Sequence, residues 1–198
     1  MQADFWNLRY SENGFAYGTE ANDFLRTQNF LEGEKILCLA EGEGRNAVYL
    51  AEQGYKVTAI DMAYEGIEKI RDLAQIKNVS VNTICADLAE YEIETENWDG
   101  IVIIFGHFPE SVRKCVHGSL YKALKKGGKL VIEAYSKDQL KFKTGGPMDE
   151  NLLYSVEEIS EDLSAFEDLE IKQIEREIHE GKYHNGLSSV IQIVAHKK

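Results

Sequence analysis

Gly42 and Gly44, with Ala47 three positions on and Asp61 closing the next apolar run, have the types and spacing that hold an adenosine-bearing cofactor. Glycines let the backbone approach a ligand, and the helix that follows offers free N–H groups at its amino end. An acid at the end of the second strand can accept from both ribose hydroxyls. Residues 35–61 read as the parts that must position these groups. An apolar run at 36–40 predicts a buried strand, and the glycines a tight turn. Ala47, Leu50 and Ala51 form a helical stripe closed by Gly54, and a second β-branched run ends in Asp61. Gly42, Gly44, Ala47 and Asp61 also satisfy the dinucleotide fingerprint G-x-G-x-x-G/A, so an NAD-dependent oxidoreductase stands as one reading.

The run LCLAEGEGRN, residues 37–46, resembles the first motif of the class I S-adenosylmethionine (SAM)-dependent methyltransferases, roughly L-D-L-G-C-G-x-G-R-N. Gly42, Gly44, Arg45 and Asn46 match it, while Cys38 stands where an aspartate is usual and Ala40 where the first glycine is usual. The likeness continues in CADL (85–88), whose Asp87 matches the acid that accepts from the adenine amino group, and in the apolar run WDGIVIIF (98–105). LKKGGKLVIEAY (124–135) resembles the family's turn before its fifth strand. The stretches 133–154 and 180–186 are similar to a bacterial subgroup related to the tellurite-resistance methyltransferases.

The resemblance covers nearly the full chain. It implies one α/β domain over 1–198 with a Rossmann-like, seven-stranded, mostly parallel sheet. The implied order is 3-2-1-4-5-7-6, strand 7 antiparallel, with helices on both faces. It also implies SAM as cofactor and S-adenosylhomocysteine as product. In open α/β sheets ligands sit outside the carboxyl ends of the strands. That rule gathers Ala40, Glu41, Gly42, Gly44, Arg45, Asn46, Asp61, Met62, Asp87, Leu88 and Phe105 around one crevice, with Met62 and Leu88 sandwiching the adenine. A non-catalytic SAM-binding module is the remaining alternative, motivated by Cys38 and Ala40.

Methyl transfer from a sulfonium is an in-line displacement from an activated donor, so the protein mostly supplies positioning and water exclusion. An amine or hydroxyl acceptor also gains from a general base. His107, just after the fourth strand, is the first candidate, because imidazole titrates near neutrality. Glu133 interrupts an apolar strand, which is costly unless it is paired or faces a cavity, and Tyr135 is its neighbour. His184 enters through the subgroup resemblance. Tyr10 and Tyr17 belong to an aromatic-rich segment, 1–30, expected to cover the crevice as in related enzymes; the polar stretch 136–154 is expected to wall the acceptor side.

With 198 residues the chain suits a single domain with a real core. Its net charge of −12 disfavours nucleic acid and anionic membrane surfaces as partners and favours a small-molecule acceptor. Lys137, Lys141 and Lys143 read as a solvated loop rather than a basic patch. There is no signal-peptide pattern or membrane-span-length apolar run, so a cytoplasmic location is expected. Cys38, Cys85 and Cys115 lack metal or redox spacing and read as reduced core residues. His179 and His184 lack the further ligands of a metal site; His117 and His196 carry no case. After the fifth strand, Ser155 and Glu158 form a capping box, and 168–179 and 187–196 read as two strands joined by a loop at 181–186.

Overall fold

The computed structural model describes residues 2–31 and 34–198. Met1, the first residue of the expected cover segment, lies outside them. The apolar runs form the expected strands: β1 (Lys35–Leu39), β2 (Lys56–Asp61), β3 (Val81–Cys85), β4 (Trp98–Ile104) and β5 (Leu124–Tyr135) are parallel. β7 (His184–His196) runs antiparallel to β5 and to β6 (Asp168–Glu180). The order is β3-β2-β1-β4-β5-β7-β6, as expected.

Central strands with both faces covered read as continuous apolar runs, and β1 shows why. Its successive side chains point to opposite faces. Leu37 and Leu39 join a core with Val116 and Leu120 of α5 (Glu110–Ala123) and Ile159 of α6 (Val156–Asp162). Ile36 and Cys38 join a second core with Ala47 and Leu50 of α3 (Arg45–Glu52) and Ile67 and Ile70 of α4 (Tyr64–Ile76). Two further helices, α1 (Gln2–Tyr10) and α2 (Asp23–Arg26), precede β1.

Several local expectations are corrected. α5 ends at Ala123 and not at the glycine pair, because Leu124 already pairs with Trp98. Gly127, at φ +81°, lies in the irregular start of β5, where its N–H donates to the Lys197 carbonyl at 2.7 Å. β7 begins at His184, so the connecting turn is only 181–183 and His184 is held in a ladder opposite Glu180. Of the cysteines only Cys38 is buried, since Cys85 lies on the edge strand β3 and Cys115 on the outer face of α5. The 136–154 stretch is ordered into two 3₁₀ turns, Lys137–Lys141 and Glu150–Leu152, and a bridge from Ser136 to Tyr154. Lys137 and Lys141 pair with Glu158 and Asp138. The capping box is present in full.

Glu133, wholly buried near the carboxyl end of β5, is satisfied inside the protein rather than facing a cavity. Its Oε1 accepts from Arg176 Nε at 3.0 Å and Gln192 Nε2 at 2.7 Å. Its Oε2 accepts from Arg176 Nη2 at 2.7 Å and Asn22 Nδ2 at 2.6 Å. Asn22 Nδ2 also donates to Glu180 Oε1 at 3.0 Å, and Glu180 Oε2 accepts from Arg45 Nη2 at 2.7 Å. The Asn22 backbone N–H reaches Asn46 Oδ1 at 2.9 Å, while Asn22 Oδ1 caps α2 through the Leu25 N–H at 3.0 Å.

Asn22 thus serves two buried carboxylates and one helix end. Asn22→Ala removes the cap and leaves both acids short of a donor; urea denaturation should show a loss of ~2–4 kcal/mol. Asn22→Asp keeps the cap but adds a third acid to the cluster, and should be the more destabilising of the two above pH 5. The reverse ranking would mean that the cap, not the donor, is what matters.

Candidate active site

Two adjoining cavities, of about 560 and 120 Å³, open at the carboxyl ends of the parallel strands. Trp6, Tyr10, Ala40, Phe105 and His107 line both. The smaller cavity takes in Asp61, Met62, Asp87 and Leu88. The larger takes in Glu41, Gly42, Arg45, Asn46, Tyr17 and His184. Of the expected site residues, only Gly44, Glu133 and Tyr135 line neither. A separate hollow of about 650 Å³, around Lys35, Lys56 and Trp98, lies at the amino ends of β1 and β2, away from the ends where ligands bind in this architecture.

The turn after β1 is held by carboxylates. Asp61 Oδ2 accepts from the Gly42 N–H at 2.8 Å and Oδ1 from the Ala63 N–H at 2.9 Å; burial raises this carboxyl against those bonds. Glu41 Oε1 accepts from the Asn46 and Ala47 N–H groups at 3.0 and 2.8 Å, capping α3, whose N-cap is a glycine. Burial pushes the Glu41 carboxyl up to about 7 despite these donors. Ala40 reaches φ +52° without a glycine, and Cys38 is sealed in the core beneath. Both departures from the family motif are therefore absorbed locally.

The two glycines have different reasons. A Cβ on Gly42 would stand 2.8 Å from the Tyr10 hydroxyl, so the bare backbone there makes room above the turn. A Cβ on Gly44 would stand 2.9 Å from the Ile70 Cα, so this glycine lets α3 pack on α4, and it lines neither cavity.

On the acceptor side the two histidines differ. His107 Nδ1–H donates to the Leu152 carbonyl at 2.7 Å, and its Nε2 accepts from the Tyr135 N–H at 3.3 Å. Burial pushes this ring down to about 4. With both nitrogens engaged, His107 is a wall element and not a free base. His184 Nδ1 stands 3.6 Å from Glu180 Oε2 and makes no hydrogen bond. Its ring centroid lies 4.5 Å from Tyr17 and 4.8 Å from Phe105. Burial lowers the His184 ring and Glu180 raises it, with burial prevailing. Burial alone would raise Glu180, yet His184 and Arg45 beside it bring that carboxyl down to about 2. Tyr135 sits behind the wall, its ring stacked on Phe105 at 4.6 Å and roofed by Gly146, so it shapes the cavity without facing it.

The sequence reading missed Trp6, Arg9 and Tyr183, which also line the larger cavity, and gave Tyr10 only a secondary place. Trp6, Arg9 and Tyr10 stand at i, i+3 and i+4, one helix face, which was a usable signal. Among the described residues no group of His, Cys, Asp or Glu has the makings of a metal site, and no helix is long and apolar enough to cross a membrane.

The Glu41 carboxyl has a consequence for stability. Its folded value of about 7 lies above the ordinary 4.5, so between those values the folded chain keeps a proton the unfolded chain has lost. This contribution to stability therefore falls as pH rises from about 4.5 to about 7. Glu41→Gln should lose less stability than the parent protein between pH 5 and 8, by on the order of 2–3 kcal/mol. Parallel pH profiles in urea denaturation would show that the carboxyl is ionised throughout.

Residues 36–128 match the methyltransferase domain family. The chain is 26% identical over 168 residues to the probable SAM-dependent methyltransferase TehB of Haemophilus influenzae, covering 82% of this chain and 57% of that protein. It is 27% identical over 159 residues to a tRNA (uracil(54)-C(5))-methyltransferase of Pyrococcus furiosus, covering 74% of this chain and 36% of that protein. The chain thus spans about a third to just over half the length of these relatives. The crystal structure of H. influenzae TehB superposes with a TM-score of 0.67 at 22% identity, covering all of this chain and 67% of that one. Residues 36–128 thus carry a methyltransferase domain, the sheet order is the one that the likeness to the class I SAM-dependent methyltransferases implies, and the chain is similar in sequence to TehB.

Proposed function

We propose that this protein transfers the methyl group of SAM to a small-molecule acceptor. The observation that carries the reading is the paired cavity at the strand ends, with Asp61 at the inner one and an aromatic helix over both. Asp61, Met62, Asp87 and Leu88 would hold the adenosine half, and Glu41, Gly42, Arg45 and Asn46 the amino-acid half. Once bound, the sulfonium presents an activated methyl group. The chain's part is to orient the acceptor between Tyr17, Phe105 and His184 and to keep water out. His184, neutral when buried, takes up the proton of a hydroxyl or amine acceptor, and the ionised Glu180 at 3.6 Å stabilises the charged ring.

One feature supports SAM over a nicotinamide cofactor: β7 lies antiparallel between β5 and β6, unlike the dinucleotide order 3-2-1-4-5-6. Some relatives are named for tRNA and rRNA substrates. Here the net charge of −12 and the pairing of Lys137 and Lys141 with acids support a small acceptor instead.

Calorimetric titration should give saturable binding of SAM and S-adenosylhomocysteine and none of NAD. Asp61→Ala should weaken SAM by ~1–3 kcal/mol through a lost charged hydrogen bond. Unchanged affinity in a folded variant would count heavily against the cofactor assignment. His184→Gln should lower kcat about 10²-fold or more and remove the acidic limb of the pH–rate profile. A flat profile in the parent enzyme would mean a thiol or other soft acceptor that needs no base. Methylation of bulk tRNA would overturn the small-molecule reading.

A further inference from the structure

We propose that the acceptor is a flat organic anion, its oxyanion group held by Arg9 and its apolar body laid against the aromatic wall of the larger cavity. This rests on the methyltransferase reading and names the substrate class of the same site.

Position comes first. Trp6, Tyr10, Ala40, Phe105 and His107 touch both cavities, whereas Arg9, Tyr17, Tyr183 and His184, like Glu41, Gly42, Arg45 and Asn46, touch only the larger one. Arg9 is half-buried there. Its guanidinium carbon lies 3.8 Å from the Tyr183 ring centre and 5.2 Å from that of Phe5, and its Nη1 donates to the Tyr17 hydroxyl at 3.3 Å. Stacking on two rings fixes the plane of the fork and leaves its N–H edge available.

The charge pattern comes second. Among the described residues, no carboxylate lies within salt-bridge distance of Arg9. The nearby acids are engaged elsewhere. Glu12 accepts from the Tyr183 hydroxyl at 2.8 Å and pairs with Lys182, and Glu43 pairs with Lys69 at 2.7 Å and accepts from the Ala16 N–H. The other arginine of this cavity, Arg45, is tied to Glu180 at 2.7 Å. In a chain with 34 acids against 22 bases, a half-buried guanidinium with no carboxylate partner among the described residues is a site for an anion from outside. The planar guanidinium fork suits a carboxylate or phosphate, and the rings of Tyr17, Phe105 and His184 offer faces for a flat body.

The test measures binding of benzoate, phenyl phosphate and benzamide to the S-adenosylhomocysteine-loaded protein and to the protein alone, by calorimetry. Benzoate or phenyl phosphate should bind about tenfold or more tighter than benzamide, and Arg9→Gln should abolish that preference. The stronger of the two anions names the group as carboxylate or phosphate. Equal binding of anion and amide, or no binding of any of the three, overturns the proposal. So does an Arg9→Gln variant that keeps the anion preference, or one that loses S-adenosylhomocysteine but not 5′-methylthioadenosine, because Arg9 would then serve the cofactor's own carboxylate. If S-adenosylhomocysteine fails to bind the parent protein, it is the methyltransferase reading that falls. The anion arms on the protein alone still decide for Arg9.

Discussion

Two carboxylates inside the protein, Glu133 and Glu180, set a condition that much of the remaining structure is arranged to meet. A buried acid without donors is one of the costliest features a core can hold. Here the donors come from distant parts of the chain: Asn22 from the amino-terminal segment, Arg45 from α3, Arg176 from β6 and Gln192 from β7. Satisfying both acids therefore requires the segment before β1 to lie across the strand ends and the hairpin of β6 and β7 to stand beside β5. The cluster adds specificity of arrangement more than net stability, because ion pairs of this depth lose in desolvation much of what they gain in attraction.

The same condition shapes the chemistry. Arg45 lines the larger cavity with its guanidinium paired to Glu180, and Glu41 caps α3 beside it. Glu180 faces His184 across the start of the hairpin ladder, so one acid anchors the cover and stands at the imidazole of the cavity wall. His184 belongs to a strand, which fixes its ring better than a loop would. His107, the more obvious candidate by position, is held between the Leu152 carbonyl and the Tyr135 N–H and serves the wall.

How much of this was legible in the sequence follows from how local each feature is. The run from β1 to Asp61 is short-range: apolar strand, turn glycines, helical stripe and acid all lie within one unit, and the structure has them as read. The capping box at Ser155 is local too. The sheet order came through the family resemblance, since periodicity alone does not say which strand pairs with which. Glu133 was noticed as an acid in an apolar strand, but its partners lie 43, 59 and 111 positions away, and no spacing rule connects them. The same holds for Gly44, whose reason is the Ile70 backbone, and for His107, whose partner carbonyl sits in a 3₁₀ turn read as plain loop. Cys85 and Cys115 went wrong for a simpler reason: membership of a strand or helix does not fix which face a residue takes.

The cover is anchored unequally along its length, and the site inherits that gradient. At Asn22 the anchor is buried and charge-assisted, and at Ala16 it is the Glu43 carboxylate at 2.7 Å together with the Lys182 N–H on the Ala16 carbonyl at 2.8 Å. α1, by contrast, is tied to α4 by an exposed hydrogen bond from the Glu65 N–H to Asn7 and by the packing of Tyr10 over Gly42 and Gly66. Exposed polar contacts contribute little each, so the helix carrying Trp6 and Arg9 is held mainly by its aromatic face. The cofactor end of the crevice is thus built on strand ends and the capped turn, where positions are stiff. The wall around Arg9 and Tyr183 is built on α1 and the tip of the last hairpin, joined by ring contacts and by the bonds of Glu12 to Tyr183 and Lys182. In the proposed reading, such a scaffold holds the donor on the strand ends and the capped turn and leaves the acceptor to a small set of side chains on α1 and the hairpin tip.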